Sequence, residues 1–290
     1  MKVLKKENSN IDYDAAIPPA LAVTPGEPFE LETPSILTQP EAFPETTVPV
    51  TGPVWVEGAK PGSVLKVEII KLELTAGEGA IAVLPGKGAF GERVLEPTYK
   101  VVTYDDKYVY FNDKIKAPLR PMVGKVGVAP AGKAINCHAT GQYGGNMDIT
   151  DISEGTSVYL PVFVEGALLA CGDVHAAMGD GESCFSAVET EGSITLRCQV
   201  IDDVKLTHPM VVTASEVMTV GHAQTLEEAC KIALDNMAAL ITKKLGLDFI
   251  DAIMLISIAA DLRINQVVNT VAVGVRVALP LSLIPSKNIP

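Results

Sequence analysis

Two short glycine-rich stretches of this chain concentrate the side chains that can do chemistry. The first is Gly144-Gly-Asn-Met-Asp148, followed by Asp151 and Glu154. The second runs from Cys171-Gly-Asp-Val-His175 through Gly179-Asp-Gly-Glu182 to Glu189. Asp173 and His175 are two positions apart, and on an extended chain residues i and i+2 point to one face. A carboxylate oxygen and an imidazole nitrogen would then converge on a cation, a donor pair that suits zinc. Asp180, Glu182 and Glu189 offer a further ligand or a general base. Gly172, Gly179 and Gly181 let backbone pass close to an ion or substrate. The plainer reading of the same residues is turn chemistry, since Asp and Gly are also the standard turn formers.

Other reactive side chains need placing too. His138, in Asn136-Cys-His-Ala-Thr140, lies upstream of the first stretch and is a candidate member of the site. His208, before Pro209, and His222, before a helix cap, read as structural. Cys171 and Cys184 are the nucleophile candidates nearest the acids, but acidic neighbours raise a thiol pKa. A small buried hydrophobe is the default for such a cysteine. Gly86-Lys-Gly-Ala-Phe-Gly91 spells a dinucleotide fingerprint, yet Pro97 and β-prone residues follow where a helix is required. A loop over the active site is the better use of those glycines.

These residues must be held by a mostly β framework. Val64 to Leu74 alternates apolar and polar residues, as a half-buried strand does. Val101, Tyr108, Tyr110 and Phe111 lie in further β-prone runs, and Ser193 to Ile201 alternates again. Val158 to Val164 and Leu168 to Cys171 read as two buried strands around a tight turn. Thr225-Leu-Glu-Glu228 is a capping box, with helical apolar spacing after it, Lys243-Lys244 at the negative end and Gly246 as the stop. A second helix starts at Asp248, apolar on most faces and therefore expected to be buried. Strand-like sequence returns from Val267 to Val277. Regular Pro and Gly punctuation favours a sandwich or barrel over βαβ units. The expected class is α+β, dominated by β. A sandwich- or barrel-like part over residues 1–130 packs with a mixed part over 131–290, which carries two helices and the site.

Composition narrows the function. The chain has 290 residues, 48% hydrophobic and 20% charged, with a formal charge of -12. It is long and apolar enough for a sizeable core. Acidity without a Lys/Arg cluster excludes a phosphate-backbone partner, so no nucleic acid is expected. The apolar run from Ala252 to Ala260 is too short to span a bilayer, and no membrane partner is expected. The opening residues lack the apolar segment of a signal peptide. Five cysteines, without a close-spaced framework, read as free buried thiols in a reducing compartment, which places the protein in the cytoplasm.

Taken in order, several blocks resemble the acetamidase/formamidase family. They are Gly144-Gly-Asn-Met-Asp148, Leu160-Pro-Val162, Gly166-Ala-Leu168, Gly172-Asp-Val-His-Ala-Ala177, Gly179-Asp-Gly-Glu182 and Ala187-Val-Glu189. Pro121 to Pro130 and Asp261-Leu-Arg-Ile-Asn-Gln-Val-Val268 resemble flanking segments of the same family. The resemblance implies a β-rich homo-oligomer, a dimer or higher, that hydrolyses short linear amides such as formamide or acetamide. It also implies a bound divalent metal, zinc first, with calcium as an additional candidate. Carried over by position, Asp148, Asp173 and His175 become the metal ligands, and Glu182 or Glu189 the base or a further ligand. The Asn146 amide would hold the substrate or stabilise an oxyanion. Family members often carry His or another bulky residue where this chain has Tyr143, which leaves the substrate preference open. The non-enzymatic alternative is a β-rich binding or scaffold protein around a structural cation such as calcium.

Overall fold

The structure, a computed structural model, describes residues 1–35, 47–268 and 271–284. Strands dominate, and two helices, α1 (Leu226–Leu245) and α2 (Phe249–Ala259), stand late in the chain. Among the described residues the strands form two large sheets, of nine and twelve strands, and neither strand order closes on itself. Of the sandwich and the barrel, the open face-to-face arrangement is the one realised. Both sheets take strands from either side of residue 130.

The alternating segment forms the strand Val64–Leu74, with Leu65, Val67 and Ile69 buried and Lys66 and Glu68 nearer water. It pairs antiparallel with Gly192–Ile201, from Gly192 opposite Leu74 to Ile201 opposite Val64. These strands supply Leu65, Ile69, Ile194 and Leu196 to a core that meets Val54, Val123, Val126 and Val174 of the twelve-stranded sheet. At about 1.5–3 kcal/mol for each large apolar side chain removed from water, this shared core is what holds the sheets face to face. A second core fills the outer face of the nine-stranded sheet, where Val275, Val277 and Leu279 pack beneath Ala233, Met237 and Ile241 of α1.

Both helices start as their sequences dictate. The Thr225 hydroxyl accepts from the Glu228 amide at 3.3 Å, and Asp248 accepts from the Asp251 amide at 2.9 Å. Each satisfies an amide that the first helical turn leaves unpaired. Gly246 ends α1 in the left-handed conformation, φ 70°.

Two expectations are corrected. Ser157–Pro161 and Leu169–His175 are strands, but they do not pair with each other; the first lies in the nine-stranded sheet and the second in the twelve-stranded one. Between them Ala167 and Leu168 take positive φ, and a Cβ on Gly166 would stand 2.3 Å from the Trp55 ring. The segment therefore crosses the sandwich against Trp55 instead of folding back as a hairpin. The second correction is α2, which is not buried. Ala252 and Ile256 face the core, while Phe249, Ile250, Ile253, Met254 and Ile258 are exposed. Apolar residues all round a helix predict burial only when something lies over each face, and here the sheet lies under one.

Candidate metal centre and active site

The centre is built on adjacent strands of the twelve-stranded sheet. Leu169–His175 carries Asp173 and His175, and its neighbour Met122–Gly127 carries Lys125. Lys125 stands opposite Gly172 on one side and opposite Asn146 on the other. Glu189 is the direct cross-strand partner of His175. Directly opposed residues have Cβ atoms about 4.5–5.5 Å apart, so pairing alone delivers the Glu189 carboxylate to the imidazole. His175 Nε2 lies 3.1 Å from Glu189 Oε2 and 3.5 Å from Asp173 Oδ1. Asp148 and Glu182 arrive from loops.

Three of the four acids sit on strained backbone. Asp148, Asp173 and Glu182 have φ of 48°, 61° and 44°. For residues with a Cβ this region costs of order 1–3 kcal/mol each and persists where the surroundings enforce it. Gly124 makes the space: a Cβ there would fall 2.6 Å from Asp148 Oδ1 and 3.2 Å from Asp173 Oδ2. The two carboxylates occupy volume that any other residue at this position would fill.

Donor atoms of Asp148, Asp173 and His175 lie within 4.8 Å of one another, and so do those of His175, Glu182 and Glu189. All five residues are buried. Both Asp148 oxygens and both His175 nitrogens lack an aligned hydrogen-bond partner. Buried polar atoms left so are costly unless an ion or water completes them. Lys125 is the counter-charge, its Nζ 3.2 Å from Asp173 Oδ2 and donating to Thr47 Oγ1 and the Val48 carbonyl, each at 2.7 Å.

Four carboxyl groups against one lysine and one histidine leave the cluster short of positive charge, and the carboxyl pKa values shift in response. Burial, with the Asp173 charge behind it, pushes Asp148 up to about 7. Burial and then Asp148 hold Glu182 well above the usual carboxylate range, and burial raises Glu189. Burial also opposes ionised Asp173, but Lys125 and His175 outweigh it and hold that carboxyl low. For His175 burial opposes the charge, and Glu189 and Asp173 reverse the balance, so its pKa is raised well above the ordinary value. A divalent cation would supply the missing charge and the missing partners together, and this donor set can hold one.

The remaining residues singled out from the sequence divide. Asn146 and His138 line a cavity of about 50 Å³ with Lys125, Asp173, Glu182 and Glu189, closed in part by Phe185 and Ser186. Burial, then Lys125, lowers His138 to about 4, so its imidazole is neutral. Asp180 turns away to Arg276, whose Nη2 lies 3.0 and 2.9 Å from its two oxygens. The same guanidinium reaches Thr150 Oγ1 at 3.3 Å and Asp151 Oδ2 at 2.8 Å. Buried Arg276 thus ties the loop after Asp148 to the loop before Glu182. Cys171 is buried in the core and burial drives its thiol pKa well up; Cys184 donates to the Ser186 carbonyl.

The Gly86–Gly91 loop joins antiparallel strands, so no βαβ unit forms. Its Ala89 amide donates to the Ser183 carbonyl, beside Glu182. A larger cavity, about 230 Å³, lies between residues 204–210 and α1. It is lined by His208 and three lysines without a carboxylate, whereas the acids line the smaller one. His222 is buried away from the acids.

Lys125, Gly124 and Thr47 were not singled out by motif. The available signal was an isolated lysine in the apolar run Met122-Val-Gly-Lys-Val-Gly127, because a charge inside a two-sided buried strand requires an acid.

The chain is similar to known proteins in sequence and in fold. The sequence profile of the acetamidase/formamidase family matches residues 131–285. The chain is similar to a predicted acetamidase/formamidase from Thermoanaerobacter tengcongensis at 40% identity, covering 97% of this chain and 96% of that one, with a TM-score of 0.93. Against the acetamidase of Bacillus halodurans the identity is 36%, the coverage 97% of each chain and the TM-score 0.92. A putative formamidase of Schizosaccharomyces pombe is 47% identical over 72 residues, 23% of this chain and only 18% of that longer protein. The β-rich fold is thus shared along almost the whole of two solved chains. The chain belongs to the acetamidase/formamidase family.

Proposed function

We propose that the protein hydrolyses short linear amides, of the formamide and acetamide type, to a carboxylate and ammonia. The observation that carries this reading is a buried, charge-deficient cluster of acids around His175 that opens on one small cavity. Asp148, Asp173 and His175 would hold a divalent cation, and a mixed nitrogen and oxygen donor set favours zinc. Such an ion, when bound, lowers the pKa of water toward about 7 and polarises a carbonyl.

The chain's own groups supply the rest. Glu182 takes a proton from water and returns it to the departing nitrogen, with Glu189 buttressing His175. The Asn146 amide holds the carbonyl end and stabilises the developing oxyanion. Lys125 keeps Asp173 ionised and fixed. A water needs about 10–15 Å³, so a cavity of about 50 Å³ admits three or four heavy atoms, the size of formamide or acetamide. The richness in carboxylates also favours calcium as an additional or structural ion.

Homo-oligomerisation follows from the family resemblance. No helix among the described residues is long and apolar enough to cross a membrane, and all five cysteines are free thiols, which supports the cytoplasm as the working compartment. Metal analysis paired with ammonia release from formamide and acetamide tests the reading. Chelation should abolish release and zinc restore it. Full turnover by metal-free protein would remove the ion from the mechanism, and no release from any short amide would remove the substrate class.

A further inference from the structure

The small cavity over the centre has an apolar side that proton transfer and metal binding do not use. Among the described residues lining it, only Val48, Phe185 and Val268 carry hydrocarbon side chains, and Phe185 is the largest of them. Its ring meets that of His138, another lining residue, with centroids 6.2 Å apart and planes tilted by 50°.

Phe185 holds a φ of 100°, outside the range a bulky side chain adopts freely. Such a conformation persists where the surroundings over-determine it, and here they do so from three directions. The Phe185 amide donates to the Glu182 carbonyl at 3.0 Å, closing a tight turn. The Ala82 amide, on the strand Glu78–Val83, donates to Ser186 Oγ at 2.7 Å and fixes the exit of that turn. From outside, the Gly86–Gly91 loop braces it, with the Ala89 amide donating to the Ser183 carbonyl at 2.9 Å. A Cβ on Gly88 would stand 2.9 Å from that carbonyl oxygen and 3.0 Å from the Phe185 nitrogen, so glycine is what lets the loop come this close. The spacing that imitates a dinucleotide fingerprint serves to press the turn against the cavity.

We infer that Phe185 sets the acyl length of the substrate. The inference rests on the amide hydrolysis proposed above and names its size limit. Asn146, Lys125 and the acids form the polar part of the cavity wall, which suits the carboxamide end, and the alkyl end is left to the Phe185 ring. A turn braced on both sides does not retreat when a longer chain enters, so the ring is a stop. Formamide and acetamide fit in front of it, and butyramide needs the space the ring fills. Each methylene that an apolar pocket fails to accommodate costs about 10–200-fold in kcat/KM.

The test is a series of primary amides from formamide to butyramide, given to zinc-loaded wild type, Phe185→Ala and Phe185→Leu. Ammonia release gives kcat/KM, and saturation-transfer NMR reads the binding of each amide without requiring turnover. Wild type should favour acetamide over butyramide by roughly 10²-fold or more. Phe185→Ala should narrow that ratio by about tenfold or more, and Phe185→Leu by less. Gly88→Ala, whose new methyl presses on the turn, should narrow it in the same direction. A folded Phe185→Ala that slows every amide alike, with the ratio as in wild type, would overturn the inference. So would a wild type that accepts butyramide as readily as acetamide. Release of no ammonia from any amide would sink the hydrolysis instead, and the NMR series then decides the wall by itself. The wall stands if only the Phe185 variants bind butyramide, and falls if wild type binds it equally.

Discussion

His175 and His222 are both buried, and their surroundings differ in kind. Around His175 stand Asp148, Asp173, Glu182 and Glu189, and although burial opposes its charge, Glu189 and Asp173 raise its pKa well above the ordinary value. Around His222, beneath the helix-covered part of the nine-stranded sheet, burial meets no carboxylate, and the pKa falls to about 3. Neither ring makes an aligned hydrogen bond. Burial is therefore not what marks a functional histidine here. What sets His175 apart is a group of acids that accept the same desolvation, with both Asp148 oxygens left unpartnered, which a cation, a water or a reacting molecule would resolve.

The contrast can be broken from the acid side first. Glu182→Gln keeps the volume and removes the proposed base, so turnover of a short amide should fall by about 10²–10⁴ with the fold and the metal content retained. Measuring kcat and bound metal on one preparation checks this, and an unchanged kcat would shift the role to Glu189. Next in size is Lys125→Met. It leaves buried Asp173 with His175 as its remaining counter-charge, and removing one partner of a buried pair costs up to about 3–5 kcal/mol. Denaturant unfolding of metal-free protein should report that loss, and a bound divalent cation should recover part of it.

The smallest effect sharpens the other side. His222 is neutral when folded and titrates near its ordinary value when unfolded, so the unfolded chain takes up the proton first. Its contribution to stability is complete above pH 6.5 and is lost as pH falls from 6.5 toward about 3. The slope is at most about 1.4 kcal/mol per pH unit for one proton. His222→Gln should flatten the stability profile between pH 6 and 4. An identical profile would show that another group titrates there.

Much of this was legible in the sequence. The Val64–Leu74 strand could be read from its alternation, and α1 from Thr225, the lysine pair and Gly246, because these signals are local. The Asp173–His175 pair could be read too, since i,i+2 spacing survives the left-handed twist at Asp173. Gly124 and Lys125 were out of reach because their meaning lies across strands. One provides empty space for Asp148, and the other provides charge for Asp173. Asp180 looked like a ligand by proximity in sequence, and a guanidinium 96 residues away turns it elsewhere. Helix α2 misled for a related reason: hydrophobicity states that a face wants cover, not whether the same chain supplies it.

The strand Asp261–Gln266 has a double allegiance. Its outer rim bears Leu262 and Ile264, while beside its last residues the Asn265 carbonyl accepts from the Gly181 amide at 2.9 Å, one position before Glu182. One six-residue strand therefore links the greasy margin of the molecule to the loop that carries Glu182. Anyone who polishes that margin to improve solubility is adjusting the plank on which the glutamate's loop rests.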